Sequence, residues 1–197
     1  MNSMDKEQEK WAENVIIADA DYIDKVAFDL IVNFERMIGR RIRQADMARW
    51  IDCVALDGGV REGDNSTQVV LVHDKTKAKM DNFVPSGYDG ELDGKAFRDN
   101  LGEFAISSYP VESIVAKADF MADIVAVACN HKDVKRVMVV PSDGEEYDIV
   151  RHALRHADDD KRVTVFAMQP MQGGNFRQEI LGYSLMSALG IRADEIK

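Results

Sequence analysis

The pattern that most constrains the fold is an alternation of short apolar runs with longer segments whose apolar residues recur at helical spacing. The apolar runs are rich in β-branched residues, and their continuous hydrophobicity is typical of strands that are buried on both faces. They lie at residues 14–18, 68–73, 103–107, 135–141 and 162–168. Strands that alternate with helices form a mostly parallel sheet covered on both sides. The sequence therefore predicts an α/β fold, a three-layer α/β/α sandwich around a five-stranded sheet.

Helices are predicted between these strands, and one stretch fits no regular pattern. The helical segments cover residues 24–40, 44–56 and 111–131, a segment that ends at residue 157, and residues 176–189. Residues 74–100 are irregular, and we expect a surface excursion that ends in a short helix near residues 95–101. At the N-terminus, the charged residues that open the chain predict a separate segment over residues 1–12. A single domain follows over residues 13–197, with its excursion at about residues 74–102.

The composition narrows the classes of function. A net charge of −10 works against a broad nucleic-acid surface, because such surfaces neutralise phosphates with Lys and Arg. The first ten residues are charged and do not resemble a signal peptide, and no apolar run reaches membrane-spanning length. We expect a cytoplasmic protein without a membrane partner. The sequence leaves open whether the protein forms a homo-oligomer. Cys53 and Cys129 lie in apolar surroundings and are predicted to be buried, reduced thiols.

Acidic residues recur where apolar strands end. Asp19 and Asp21 follow the first strand, and Asp143 with Glu145 or Glu146 follows the fourth. Open α/β sheets bind ligands at the carboxyl ends of their strands, so these residues are the first candidates for a site. A helix cap is the alternative role for Asp21, and also for Asp24.

Two further acids lie within the long helix predicted over residues 111–131. Asp119 and Asp123 are four residues apart and therefore share one helical face. These acids either face solvent or contribute to a site. If they contribute to a site, the pattern does not decide whether Asp119 or Asp123 enters it.

Converging carboxylates repel one another unless a cation neutralises them, so the pattern predicts a Mg²⁺ or Mn²⁺ site. The candidate ligands are the acids at both strand ends together with one acid of the long helix. They are Asp19, Asp21, Asp123, Asp143 and Glu145. A bound cation could lower the pKa of a water molecule and stabilise charge on a phosphoryl oxygen.

The order of these motifs resembles the NYN branch of the PIN-like nucleases. Its three motifs are similar to Ile17-Ala-Asp19-Ala-Asp21, to the segment from Lys117 through Asp119 to Asp123, and to Val140-Pro-Ser142-Asp143-Gly-Glu145. The resemblance spans residues 14–168 and implies a Rossmann-like sheet in the order 3-2-1-4-5. It further implies a metal-dependent ribonuclease that cleaves single-stranded RNA. Its catalytic acids would be Asp19, Asp143 and one of Asp119 and Asp123, with Asp19 and Asp143 as neighbours.

A second resemblance leads to a different reaction. Asp19-x-Asp21 after an apolar strand is similar to the nucleophile motif of the haloacid dehalogenase-type phosphatases, and Ser142-Asp143-x4-Asp148 resembles their metal-binding turn. In that family Asp19 would attack phosphorus and Asp21 would act as acid and base. The pattern assigns no lysine to the family's third motif. A third possibility is a binding or regulatory module without catalysis, because a fold does not determine a function.

Overall fold

The centre of the sheet is strand β1 (Asn14–Asp19), in which every residue is buried. It pairs in parallel with β3 (Ser66–Asp74) on one side and with β7 (Arg136–Val140) on the other. The computed structural model describes residues 10–196. Because successive side chains of a strand point to opposite faces, Ile16 and Ala18 face one helix layer while Val15 and Ile17 face the other.

Four more strands extend the sheet, which has seven strands in all. Next to β3 lies β6 (Gly102–Val111), and the antiparallel strand β5 (Ala96–Asp99) forms that edge. Next to β7 lies β8 (Arg162–Ala167), and β9 (Arg177–Ile180) forms the other edge. The spatial order is β5-β6-β3-β1-β7-β8-β9, with every pair except β5 and β6 parallel. The prediction of an α/β fold with a mostly parallel sheet is confirmed, whereas the count of five strands is wrong.

Helices cover both faces and complete three layers. Three helices pack on one face: α1 (Ala20–Ile38), α2 (Met47–Asp57) and α5 (Leu181–Ala188). The helices α3 (Ile114–Cys129) and α4 (Glu145–Leu154) pack on the other face. Short elements fill the connections: a two-stranded sheet of β2 (Ala45–Asp46) and β4 (Phe83–Val84), a π-helical turn (Tyr88–Leu92) and a 3₁₀ turn (Ala193–Glu195).

The two strands of the seven-stranded sheet that the prediction missed, β5 and β9, are short edge strands. The short helix expected near residues 95–101 is instead β5, and the ring of Phe97 stacks on that of Phe104 in β6 with 4.8 Å between centroids. Gly102 enters β6 at a φ of 108°, which favours glycine and lets the chain reverse. The helix predicted over residues 176–189 begins as the polar strand β9. Edge strands need no continuous apolar run, so the pattern did not reveal them.

The excursion is docked on α1 by Asp24, a buried acid near the start of that helix. The Asp24 carboxylate accepts backbone N–H bonds from Asp81, at 3.0 and 3.1 Å, and from Asn82, at 2.8 Å. Asp24 therefore holds the excursion, and it does not cap the helix.

At the other end of the chain, residues 1–9 of the predicted N-terminal segment lie outside the described residues. Trp11, also in that segment, is buried against the layer of α3 and α4. In residues 10–196 we find no helix with the length and apolar character needed to cross a membrane.

Candidate functional site

Asp19 is the last residue of β1 and also the N-cap of α1, so the strand runs into the helix without a loop. Its Oδ1 atom accepts the backbone N–H of Tyr22 at 3.1 Å, and its exposed fraction is 0%. The expectation that Asp21 or Asp24 caps this helix is wrong, because the helix begins four residues earlier than predicted. Helix capping satisfies one backbone donor and leaves the rest of the Asp19 carboxylate for other partners.

Lys117 of α3 reaches across to both acids of β1 and α1. Its Nζ atom lies 3.2 Å from Asp19 Oδ1 and 2.9 Å from Asp21 Oδ2. The Oδ2 atom of Asp21 also accepts the backbone N–H of Asp74, at the end of β3, at 2.8 Å. The three side chains therefore join the carboxyl ends of β1 and β3 to α3.

Glu146 is the fourth member of this group, which we call the Asp19 cluster: Asp19, Asp21, Lys117 and Glu146. It lies in the first turn of α4 and is 5% exposed. Its Oε1 atom accepts the backbone N–H of Ser142 at 3.0 Å. Burial, followed by the charge of Asp19 and hydrogen bonding to it, raises the pKa of Glu146 to about 8. The protonated form of Glu146 is therefore favoured far more than that of an ordinary glutamate.

The lysine in this cluster remains charged. Burial lowers the pKa of Lys117, but the carboxylates of Asp19 and Asp21 outweigh burial and raise it. Within residues 10–196, Asp19 Oδ2 and Asp21 Oδ1 are buried and receive no hydrogen bond. A proton on Glu146 would supply Asp19 with a donor, and Asp21 Oδ1 still lacks one. Buried carboxylate oxygens without donors are costly, so a structural role alone does not account for the cluster.

Two tyrosines and a small cleft adjoin the cluster. Burial, the charge of Asp143 and the charge of Asp19 raise the pKa of Tyr22 to about 12. Burial and the charge of Asp21 raise the pKa of Tyr88, whose ring stacks on His73 at 3.6 Å. A cleft of about 220 Å³ opens between Tyr22 and the residues that follow β7 and β8. Both phenols keep their protons at neutral pH and can donate hydrogen bonds to a ligand.

The structure brings together only some of the acids that the sequence singled out. Asp19 and Asp21 share Lys117, and Asp143 lines the cleft as an exposed residue. Asp119 and Asp123 are exposed, as is Glu145. Since Asp119 follows Lys117 by two residues, helix geometry rotates it about 200° away from the cluster, and Asp123 about 240°. The expected convergence of one of these helix acids with Asp19 does not occur.

Sequence reasoning missed Lys117 as a site residue and left Glu146 open as an alternative to Glu145, although both residues left a signal. Lys117 occupies the same helical face as Met121 and Val125, where an apolar residue would be expected. A cation in the first turns of a helix is also disfavoured by the helix dipole. Glu146 precedes Val150 by four residues and so belongs to the buried face, while its neighbour Glu145 does not.

The donor types of the cluster suit a hard divalent cation, because carboxylate oxygens are the ligands that Mg²⁺ and Mn²⁺ prefer. The oxygens of Asp19 and Asp21 without hydrogen bonds are the ones that could bind it. In the stretch from residue 10 to 196, however, no three His, Cys, Asp or Glu side chains are grouped to hold a metal ion. The Lys117 ammonium already balances part of the charge that a cation would balance.

Comparison with known proteins yields one match. The model of a family described as a family of unknown function (DUF6621) matches residues 8–196 of the chain. No curated protein and no solved structure matches.

Proposed function

We propose, for a chain that belongs to the family of unknown function DUF6621, that the Asp19 cluster is the centre of a hydrolase for small phosphate monoesters. The observation that supports this proposal is the contact of Lys117 with both acids of the Asp19-x-Asp21 pair. The resemblance to the haloacid dehalogenase-type phosphatases lacked a lysine, and Lys117 supplies one from the helix that precedes β7. Its charge would lower the repulsion between the carboxylates and an incoming phosphate.

The reaction would proceed in two steps. Asp19 Oδ2 attacks phosphorus and the bond to the leaving alkoxide breaks, while a proton that Asp21 has taken up from solvent passes to the alkoxide. Water then attacks the aspartyl phosphate, Asp21 takes a proton from that water, and inorganic phosphate leaves. Because the Asp19 side chain is 1% exposed, the side chains around it must open before a substrate can enter.

The size and charge of the surroundings favour a small substrate. The cleft beside the cluster measures about 220 Å³, below the roughly 300–1,000 Å³ of drug-sized pockets. Among residues 10–196, those that line it include Asp143 and no Lys or Arg. A nucleic-acid strand would need cations along its path, whereas a single phosphate group can be held by Lys117 and the donors of the cluster.

Dependence on Mg²⁺ or Mn²⁺ is part of this proposal. Asp21 Oδ1, which receives no hydrogen bond from residues 10–196, would help to hold the cation, which would act as a Lewis acid on the phosphoryl oxygens. The protein's own contribution is to hold Asp19 in place through the cap on α1, and to keep Asp21 in place through Asp74.

Hydrolysis of an aryl phosphate tests the proposal. We expect release of the aryl alcohol with Mg²⁺ or Mn²⁺, and a loss of about 1,000-fold or more in kcat for Asp19→Asn. Lys117→Met should also reduce kcat, whereas Asp119→Asn, an exposed change on the same helix, should not. Equal rates for Asp19→Asn and the unaltered protein would contradict the proposal. So would the absence of turnover with a panel of small phosphate monoesters.

A metal-dependent ribonuclease is the second candidate, and the sheet order supports it. The central strands lie in the order β6-β3-β1-β7-β8, which corresponds to the order 3-2-1-4-5 of the predicted strands. In this reading single-stranded RNA is cleaved with Mn²⁺, and Asp143→Asn abolishes cleavage. Asp123→Asn is the matched control, because Asp123 is exposed away from the cluster. If neither RNA nor phosphate monoesters are cleaved, the result favours the third possibility, which is that the protein is a binding or regulatory module.

A further inference from the structure

A second cleft lies at the opposite end of the strands, where β7 and β8 begin. Its volume is about 620 Å³, within the roughly 300–1,000 Å³ typical of small-molecule pockets. Strand β7 starts beside this cleft at Arg136 and ends next to the Asp19 cluster, and its four residue steps separate the two by about 13 Å. Five cationic residues line the cleft: Arg61, Arg136, Lys161, Arg162 and Arg177. We call it the basic cleft.

Three arginines of the basic cleft, Arg136, Arg162 and Arg177, lie on one face of the sheet. Arg136 and Arg162 are register partners on parallel strands, which are about 4.8 Å apart. Arg177 pairs in register with Thr164, which follows Arg162 by two residues and so points to the same side. Like charges on neighbouring strands repel and destabilise a sheet. In a chain with a net charge of −10, this concentration of cations is costly unless an anion joins it.

Partners within the chain neutralise little of this charge. The Arg162 side chain makes no hydrogen bond or ion pair with any residue from 10 to 196. Arg136 donates from Nη1 to Asn14 Oδ1 at 3.1 Å, but its Nε atom is buried without a partner in the same range. Arg177 has one exposed carboxylate contact, to Glu179 at 3.4 Å. Burial and the charges of Arg162 and Arg61 lower the pKa of Arg136, and the charge of Glu13 offsets them only in part.

The space next to Arg136 is open because residue 59 is a glycine. A Cβ atom at Gly59 would lie 3.4 Å from Arg136 Nε, so a larger residue there would cover the guanidinium group. Phe176 also lines the cleft, and its half-buried ring adds an apolar surface next to the arginines. Cations with free donors beside an aromatic ring form a site that favours a ligand with both an anionic group and an apolar part.

We propose that the basic cleft binds a small organic molecule that carries at least two phosphate groups, such as a nucleoside polyphosphate. Arg136 and Arg162 bind the phosphates, because a guanidinium group matches phosphate oxygens with two parallel hydrogen bonds. Phe176 contacts the organic part. The site is distinct from the Asp19 cluster, and it does not depend on hydrolysis there.

Calorimetric titration of the full-length protein with ATP and with tripolyphosphate tests the proposal. We expect both ligands to bind, and Arg162→Gln to weaken each by about tenfold or more. Arg162 is exposed and its side chain holds no other residue of the described chain, so this variant should fold normally. Arg155→Gln removes the same charge from an exposed site at the end of α4, and it should leave both affinities unchanged. Phe176→Ala should weaken ATP more than tripolyphosphate.

Three results would overturn the proposal. One is the absence of binding by either ligand at millimolar concentration. Another is an equal loss of affinity in Arg155→Gln and Arg162→Gln, which would indicate a general charge effect. The last is a single-stranded RNA that binds much more tightly than ATP and displaces it, because the cleft would then be part of a nucleic-acid surface. Since none of these readouts involves phosphate release, they are independent of the hydrolase proposal.

Discussion

Asp19 has three roles at one position: it ends β1, caps α1 and pairs with Lys117. Its burial makes the lysine essential, because an isolated carboxylate would be expensive to remove from water. The raised pKa of Glu146 beside it favours the neutral form of that side chain, which limits the negative charge of the cluster. The residues of the cluster thus stabilise one another, and the loss of any one of them should be measurable.

Lys117→Met should destabilise the protein strongly. It leaves the carboxylates of Asp19 and Asp21 without their cation, and breaking a buried ion pair typically costs about 3–5 kcal/mol. Urea unfolding at pH 8 measures the free energy of unfolding. Lys25→Met, an exposed change on α1, is the control and should have little effect. A loss below about 1 kcal/mol for Lys117→Met would mean that the ion pairs contribute little to stability.

Glu146 makes stability depend on pH in a defined direction. Its pKa is about 8 in the folded protein against an ordinary value of 4.5, so the folded state holds the proton more tightly. The stabilisation is complete below pH 4.5 and is lost as the pH rises towards 8. We expect Glu146→Gln to remove this part of the decline, on the order of a few kcal/mol.

Urea unfolding at several pH values between 5 and 9 checks the Glu146 prediction. The control is Glu145→Gln, since Glu145 is the exposed neighbour of Glu146 on the same helix. That control should keep the full decline in stability with rising pH. An identical pH profile for Glu146→Gln and the unaltered protein would show that Glu146 titrates normally.

At the scale of elements, the excursion is stabilised by its contacts with α1. Asp24 accepts the backbone N–H groups of Asp81 and Asn82, and its Oδ1 also accepts the Asn82 side chain at 3.2 Å. These bonds position β4 next to β2, where Phe83 is buried against Trp50. The excursion therefore has a buried anchor, which a loose surface loop would lack.

Asp24→Ala should loosen the excursion while the sheet remains folded. Removing the acceptor leaves backbone donors of residues 81 and 82 without partners, at a cost of about 1–3 kcal/mol. Hydrogen exchange should then accelerate in residues 79–92 and remain slow in β1. Asp29→Ala, on the exposed side of the same helix, should not change exchange. Unchanged protection of residues 81–84 in Asp24→Ala would show that other contacts hold the excursion.

At the scale of the molecule, two apolar layers share one sheet. Trp50 belongs to the layer formed with α1, α2 and α5, and Trp11 belongs to the layer formed with α3 and α4. Because β1 contributes side chains to both layers, neither should unfold while the other stays intact. The two tryptophans of the chain can report on the layers separately.

Variants with a single tryptophan test this cooperativity. In Trp11→Phe the fluorescence reports the layer of Trp50, and in Trp50→Phe it reports the layer of Trp11. For each variant we expect fluorescence and circular dichroism to follow one urea transition with the same midpoint. Different midpoints by the two probes within either variant would mean that the layers unfold independently.

The sequence alone determined the architecture of the core. The runs that became β1, β3, β6, β7 and β8 are apolar because each is buried on both faces, and that burial shows directly in a local pattern. The sequence also showed that acids stand at the ends of β1 and β7, and Asp19 does lie in the cluster. The short edge strands β5 and β9 were missed, since their pairing depends on partners distant in the chain.

Only the tertiary structure decided which charged residues meet. Asp119 and Asp123 stand out in the sequence, but the packing of α3 on the sheet directs Lys117 to the cluster and these two acids to solvent. The choice of Glu146 over Glu145 likewise follows from the face of α4 that is buried. The arginines of the basic cleft are scattered from residue 61 to 177, and strand register makes Arg136, Arg162 and Arg177 neighbours. A local pattern encodes burial, whereas the contact of distant charges depends on how whole elements pack.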